Sequence, residues 1–164
     1  MKDNVKKKKR ILFICLGNIC RSPAAHAVMQ QLVDKAGLSE SIEIESAAIG
    51  SWHIGGLPDD RMRRHGKKRG YRIDHRARLF DARHDFPYYD AIYVMDEDNF
   101  RIITSKAQSE DECEKVYRLA DYLTQHQALT IPDPYYGTAS DFEYALDLIE
   151  DACQGLLRQL ALSS

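Results

Sequence analysis

The 164-residue chain has few cysteines, no long hydrophobic run and no large excess of charge of either sign. No apolar stretch approaches the roughly 20 residues that a membrane-spanning helix needs, so we expect no membrane partner. Four cysteines are too few for a disulfide-stapled scaffold at this length, and free thiols favour a reducing, cytoplasmic location. A formal charge of −2 gives no reason to expect nucleic acid as a partner.

Internal repeats, low-complexity linkers and breaks in composition are also missing, which predicts a single domain. The basic run at residues 6–10 predicts an N-terminal arm over residues 1–9, followed by the domain over residues 10–164. The apolar run that follows is too short for a signal peptide and precedes no cleavage-site pattern. We interpret the arm as a solvated tail, with an anionic partner as the alternative.

Hydrophobic periodicity predicts strands that alternate with helices. Apolar or alternating runs indicate strands at residues 11–14, 42–46, 91–95 and 115–119. Helical spacing runs from Pro23 to a stop at Gly37, and helices are also expected after Asp59, Asp96 and Thr138. This alternation predicts an α/β fold, with a parallel sheet, helices on both faces and a ligand site at the end of the first strand.

The stretch after that first strand, residues 15–23, reads Cys-Leu-Gly-Asn-Ile-Cys-Arg-Ser-Pro. Ser22 is predicted to cap the next helix and Pro23 to be its first residue. Backbone N–H groups at such a helix start form an oxyanion pocket, and Gly17 would supply backbone freedom or close approach to the anion. Cys15 there is a candidate nucleophile, and the guanidinium fork of Arg21 matches two phosphate oxygens.

The sequence argues against two other interpretations of this stretch, a metal site and a nucleotide-binding loop. Cys15 and Cys20 as half of a metal site would need two further ligands, but Cys113 and Cys153 are isolated. A nucleotide-binding loop would need the pattern G-x4-G-K-[ST], which the sequence does not contain. We therefore predict neither a metal nor a cofactor.

The string CLGNICRSP near the N-terminus resembles the low-molecular-weight protein tyrosine phosphatase family. A second family signature, Asp-Pro-Tyr-Tyr-Gly at residues 133–137, precedes the last predicted helix, and the resemblance covers nearly all of residues 10–160. It implies a flavodoxin-like, four-stranded parallel sheet. It also implies that Cys15 is the nucleophile, Arg21 the phosphate clamp and Asp133 the general acid and base. Pro134 favours an extended Asp133, whose carboxyl can then project from a loop.

The pocket and its support are assigned by the same resemblance. The expected substrate-binding residues are Leu16, Gly17, Asn18, Ile19, Cys20, Ser22, Trp52 and Tyr135. Trp52 is taken as a wall of the cleft, with a plug in the core as the alternative. Residues 75–78 resemble the family's H-x-A-R segment, which implies that His75 joins Asn18 and Ser22 in a network behind the nucleophile. A lone histidine in a basic stretch would otherwise be a surface residue.

The predicted function is hydrolysis of phosphotyrosine in tyrosine-phosphorylated proteins. A protein-arginine phosphatase is the main alternative, although the resembled arginine phosphatases tend to carry threonine at the position of Ile19. An arsenate reductase would need further cysteines close together, and a phosphopeptide-binding module would have no use for Asp133. Two further features leave alternatives open. Cys20 either captures oxidised Cys15 as a disulfide or only packs the loop. The basic face of residues 61–69 is either solvated or a docking surface for acidic protein partners.

Overall fold

Four strands form one sheet in the computed structural model, which describes residues 8–162. They are β1 (Lys9–Cys15), β2 (Ile42–Ala48), β3 (Ala91–Val94) and β4 (Val116–Arg118). Their order is β2-β1-β3-β4 and every neighbouring pair is parallel, which confirms the predicted four-stranded sheet. The predicted arm lies outside the described residues as far as residue 7, and Lys9 already belongs to β1.

Within residues 8–162, six helices flank the sheet: α1 (Arg21–Lys35), α2 (Asp60–Lys68), α3 (Ala82–Tyr88), α4 (Glu97–Ser105), α5 (Glu110–Cys113) and α6 (Ala139–Leu162). A 3-10 turn, Leu119–Tyr122, follows β4. Helices α3 and α5 were not predicted from the sequence, because their seven and four residues are too few to show a helical period. Across residues 8–162, no helix combines the length and the apolar character that crossing a membrane requires.

The central strand β1 is buried on both faces. Ile11 and Phe13 pack into a cluster with residues of α1 and α6, whereas Leu12 and Ile14 pack with Phe86 of α3 and other residues across the sheet. Alternate residues of a strand point to opposite faces, so a continuous apolar run supplies both clusters. The predicted helices on both faces are confirmed.

The beginning of α1 differs from the prediction. The helix starts at Arg21 with Cys20 at the N-cap position, and no side chain caps it. Ser22 is not the cap because its hydroxyl contacts Cys15 Sγ instead, and Pro23 is the third helical residue. The other end of α1 fits the prediction, since Gly37 follows the helix with a φ of 72° that favours glycine.

Tertiary contacts bring distant segments to the carboxyl edge of the sheet. Cys15 ends β1, and Asp96 follows β3, which pairs directly with β1. The N–H of Ile131 donates to the carbonyl of Met95 at 2.8 Å, which fixes the loop before α6 beside the end of β3. This contact carries residue 133 to the same edge as the first loop.

Candidate active site

A cleft of about 380 Å³ opens at the carboxyl end of β1. Its lining is formed by Cys15, Leu16, Gly17, Ile19, Cys20, Arg21, Trp52, His53, Asp133, Tyr135 and Tyr136. The two predicted signatures therefore lie on one cleft, although most of the chain separates them in sequence. The cleft combines a thiol, a guanidinium and a carboxylate with apolar and aromatic walls.

Cys15 lies at the base of this cleft and is 3% exposed. Its Sγ lies 3.4 Å from the backbone N–H of Ser22, which donates to it, and 3.0 Å from the hydroxyl of the same residue. Ser22 is in the first turn of α1, where free N–H groups and the helix dipole favour a negative charge. The sulfur therefore has an N–H and a hydroxyl beside it that can donate to a negative charge, and the thiolate is the nucleophilic form of a cysteine.

Arg21 is held rigidly beside the sulfur and is 3% exposed. Its Nη1 donates to Asp96 Oδ2 at 2.7 Å and to the carbonyl of Ile131 at 2.9 Å, and its Nη2 lies 3.6 Å from Asp133 Oδ2. Burial opposes the charge, but Cys15 and the two carboxylates outweigh it and raise the Arg21 pKa. Arg21 is therefore a fixed cation at the cleft.

Asp96 is a member of the site that the sequence analysis did not assign. Its only signal was its position directly after a predicted strand. Its Oδ1 accepts from the Asn99 N–H at 2.8 Å and so caps α4, while its Oδ2 orients Arg21. The Asp96 carboxylate therefore both stabilises α4 and orients the Arg21 guanidinium.

Asp133 lies at the mouth of the cleft, with 38% of its side chain exposed. The N–H of Tyr135 donates to its Oδ1 at 3.2 Å, which leaves Oδ2 on the side of Arg21. Arg61 holds this loop from α2, since its Nη2 donates to the Tyr135 carbonyl at 2.9 Å and its guanidinium lies 5.5 Å from the Tyr135 ring. The carboxylate is therefore both accessible and positioned.

Behind the loop, Asn18 is the one non-glycine residue among those described that has a positive φ, 55°. Its side chain is fully buried, and its Nδ2 donates to the hydroxyls of Ser22 at 2.7 Å and Ser46 at 3.1 Å. Its Oδ1 accepts from the N–H of Arg78 at 3.2 Å. These bonds hold the loop in a conformation that costs about 1–3 kcal/mol for a non-glycine residue.

The structure corrects two details of the predicted loop. The left-handed conformation belongs to Asn18, and Gly17 is restricted instead by His53, since an added Cβ would lie 3.3 Å from His53 Cδ2. Asn18 and Ser22 are fully buried beneath the cleft rather than part of its lining. Their side chains contact each other, and the Ser22 hydroxyl contacts Cys15 Sγ from behind the loop.

His75 contacts the hydrogen-bond network behind the loop through Ser46. Its Nε2 is 3.2 Å from the Ser46 carbonyl and 3.1 Å from Glu45 Oε1, so it reaches Asn18 through Ser46. His26 contributes as well, with Nδ1 3.3 Å from the Ser46 hydroxyl. Burial and the neighbouring His75 lower the pKa of His26 to about 4. Neither Ser46 nor His26 was predicted to belong to this network, because only the fold brings them to this position.

The walls of the cleft are exposed side chains. Trp52 is 69% exposed and Tyr136 is 95% exposed, so Trp52 is not a core residue. His53 and Tyr136 line the cleft but were not predicted, although each adjoins a predicted wall residue in sequence. Their positions give the cleft an aromatic rim above the thiol.

All four cysteines are free. Cys20 lines the cleft with Cys15, and burial, followed by the charge of Asp59, raises its pKa, so its thiol is protonated. Cys153 is fully buried in the core against α1, with Sγ near the Ala25 carbonyl, and Cys113 contacts Thr104. Neither lies at the cleft, so the described structure holds no chain of thiols that leads away from Cys15.

Residues 10–163 match the family model described as low molecular weight phosphotyrosine protein phosphatase. The chain belongs to this family. A putative low molecular weight protein-tyrosine-phosphatase of Synechocystis is 46% identical over 151 residues, covering 92% of this chain and 96% of that protein. The rat low molecular weight phosphotyrosine protein phosphatase is 41% identical over 152 residues, covering 92% and 95%. The predicted family is therefore confirmed.

Solved structures agree with this membership of the phosphatase family. A protein tyrosine phosphatase from Entamoeba histolytica superposes with a TM-score of 0.92 at 38% identity, covering 95% of this chain and 99% of that chain. A Drosophila arginine phosphatase superposes with a TM-score of 0.82 at 30% identity, covering 92% and 96%. The fold is thus shared by phosphatases that are named for different substrates, so the fold alone does not decide the substrate.

Proposed function

We propose that this phosphatase hydrolyses phosphotyrosine in proteins through a phosphocysteine at Cys15. The observation that carries the proposal is the presence of Cys15, Arg21 and Asp133 on one cleft, with Asp133 Oδ2 3.6 Å from Arg21 Nη2. This arrangement supports the proposed roles of Cys15 as nucleophile, Arg21 as phosphate-binding cation and Asp133 as acid toward one substrate phosphate. Tyrosine-phosphorylated proteins are the proposed partners, and a cytoplasmic location stays a prediction.

The first step transfers the phosphoryl group to sulfur. The Cys15 thiolate attacks phosphorus, the bond from phosphorus to the tyrosine oxygen breaks, and the Asp133 carboxyl gives its proton to the departing oxygen. Arg21 and the N–H groups of the loop hold the other phosphate oxygens. The products of this step are free tyrosine on the substrate protein and a phosphocysteine on the enzyme.

The second step restores the enzyme. Water attacks the phosphorus of the phosphocysteine, and the Asp133 carboxylate accepts a proton from that water. The sulfur–phosphorus bond breaks, so phosphate and the Cys15 thiolate are released. The hydroxyl of Ser22, 3.0 Å from Sγ, and the Ser22 N–H are placed to stabilise the returning negative charge.

The walls of the cleft favour a phenyl ring. Leu16, Ile19, Trp52 and Tyr135 offer apolar surface around the thiol, which a flat ring can cover while it carries its phosphate down to Cys15. The short stems of phosphoserine and phosphothreonine do not reach that depth. A phosphoarginine guanidinium would meet the aliphatic Ile19, which offers it no hydrogen bond, and desolvation of a polar group without compensation costs about 2–7 kcal/mol.

Peptides that carry each phosphorylated residue test the proposal through kcat/KM. We expect phosphotyrosine to exceed phosphoarginine by on the order of 100-fold, and Ile19→Thr to narrow this gap because it restores a hydrogen-bonding group. Cys15→Ser should abolish turnover of all the peptides and of a chromogenic aryl phosphate. Equal or better hydrolysis of phosphoarginine by the unmodified enzyme would overturn the substrate assignment in favour of a protein-arginine phosphatase.

A further inference from the structure

Behind the catalytic loop, three potential metal ligands converge from different parts of the chain. They are His26 Nδ1 on α1, Glu45 Oε1 on β2 and His75 Nε2 in the segment between α2 and α3, and all lie within 4.8 Å of one another. His75 Nε2 is 3.1 Å from Glu45 Oε1, and His26 Nδ1 is 3.9 Å from the same oxygen. No spacing motif in the sequence predicts these three ligands, because each comes from a separate part of the fold.

The separations suit one small ion. Two ligands of a tetrahedral zinc site, each about 2.0–2.1 Å from the metal, lie roughly 3.3 Å apart. The two separations of 3.1 and 3.9 Å lie close to this value, and the third is no greater than 4.8 Å. Rotation of the two imidazole rings would therefore bring all three atoms into one coordination sphere.

The chemistry of the three donors selects the class of metal. Two imidazoles with one carboxylate are typical ligands of zinc and of other divalent transition metals, whereas magnesium and calcium prefer sites made of oxygen alone. The side chains of His26, Glu45 and His75 are 18%, 29% and 23% exposed. The ligands are thus sheltered from bulk water but remain reachable.

An entry route also exists. A separate cavity of about 320 Å³ is lined by both histidines and has Asp34 and Asp74 on its wall, with Arg72 as the opposing charge. The cavity leaves room for a water molecule as the remaining ligand. The two carboxylates provide an approach that favours cations, and the cavity is distinct from the catalytic cleft, with which it shares no lining residue.

An ion at this position would change the hydrogen bonds behind the loop that carries Cys15. His26 Nδ1 contacts the Ser46 hydroxyl at 3.3 Å, and His75 Nε2 contacts the Ser46 carbonyl at 3.2 Å. The same Ser46 hydroxyl accepts from Asn18, which donates to Ser22 beside Cys15 Sγ. Coordination of both nitrogens would replace the two contacts with Ser46, one step away from the catalytic loop.

We infer that His26, Glu45 and His75 form a binding site for one divalent transition-metal ion, for which Zn²⁺ is the probe. The alternative is that the three side chains form only a hydrogen-bonded cluster. This inference concerns binding and does not depend on the proposed substrate. A test that measures bound metal therefore separates its failure from a failure of the proposed phosphatase mechanism.

Competition with a chromogenic zinc chelator tests the inference. The background is the full chain carrying Cys15→Ser and Cys20→Ser, so that thiols at the cleft do not bind the probe. We expect one Zn²⁺ to bind per chain. Either His26→Gln or His75→Gln should raise the dissociation constant for Zn²⁺ at least about tenfold. His84→Gln is the matched control, because His84 is exposed and lies outside the cluster, and it should leave the affinity unchanged.

A thermal unfolding measurement makes the result independent of the chelator. Zn²⁺ that binds only the folded chain raises Tm, and both cluster variants should lose this rise while His84→Gln keeps it. Either variant alone suffices if the other fails to fold, as judged by circular dichroism. Absence of Zn²⁺ binding, or binding that both cluster variants and the control retain equally, would overturn the metal site and leave a hydrogen-bonded cluster.

Discussion

Asp96 offers a sharp test of how the site is held together, because its two oxygens serve two different neighbours. Oδ2 accepts from Arg21 Nη1 at 2.7 Å, and Oδ1 accepts from the Asn99 N–H at 2.8 Å. The first bond orients the guanidinium, and the second caps α4. Serine at this position can still cap the helix, but its side chain is too short to reach Arg21.

The magnitudes follow from these two bonds. A hydrogen bond to a charged group contributes about 1.5–3 kcal/mol, so both Asp96→Ser and Asp96→Ala should lower kcat/KM roughly 10- to 150-fold if Arg21 must keep its orientation. Only Asp96→Ala also removes the cap, which should cost a further ~1 kcal/mol in the free energy of unfolding. Comparison of the two variants therefore separates the effect of Asp96 on activity from its effect on stability.

The assay is kcat/KM on a phosphotyrosine peptide together with Tm for each variant. Asp98→Ser is the control, since Asp98 is exposed and pairs with Arg101 on the surface of the same helix. Inhibition by inorganic phosphate shows whether the loss arises in binding or in the chemical step. If Asp96→Ser keeps activity within about threefold of the unmodified enzyme, orientation of Arg21 by Asp96 is refuted, since one such bond should exceed that effect.

Three further outcomes are expected. Asp133→Ala should slow aryl phosphate hydrolysis by about 10²–10⁴, and less for leaving groups of low pKa; an equal loss for all leaving groups would exclude Asp133 as the acid. After peroxide treatment a thiol reductant should restore the unmodified enzyme but not Cys20→Ser, because Cys20 lines the cleft beside Cys15 and can capture it as a disulfide; full recovery of the variant contradicts this. Asp151 accepts two hydrogen bonds from Thr124 and others from the next two residues, and although burial opposes ionisation these bonds keep its pKa below 3.8. Asp151→Asn should therefore lower the free energy of unfolding by about 2–3 kcal/mol at neutral pH. This difference should shrink as the pH falls below about 4, because the Asp151 carboxyl of the unfolded chain takes up a proton there while the native carboxylate still resists it. Urea unfolding at neutral pH and below about pH 4 measures the difference, and a difference that does not change with pH would contradict the assignment.

Much of the architecture was predictable from the sequence because its causes are local. The apolar run of β1 is buried on both faces, and such a run is typical of a central parallel strand. Gly37 at a φ of 72° and Asp59 as the cap of α2 are short-range effects that residue type alone indicates. The loop at residues 15–21 was likewise visible, because its chemistry is carried by consecutive residues.

Contacts between distant residues could not be predicted in the same way. The predicted helix cap at Ser22 was wrong because the Ser22 hydroxyl contacts Cys15 Sγ in the folded chain. Local residue preferences do not include such a contact with a residue outside the helix. Asp96 reaches the site because β3 lies next to β1 in the sheet, and His53 reaches it through the course of the long loop after β2. The family resemblance supplied a role for His75, but only the packing of α1 against β2 placed His26 beside it.

By itself, then, the sequence determined the alternating strands and helices, the anion-binding loop and the family, since each depends on neighbouring residues or on a recognisable string. The tertiary structure alone decided which carboxylate orients Arg21 and which residues line the cleft. It also decided that His26, Glu45 and His75 meet behind Ser46. The physical reason is that side chains from separate elements converge only when burial of both sheet faces fixes the positions of those elements.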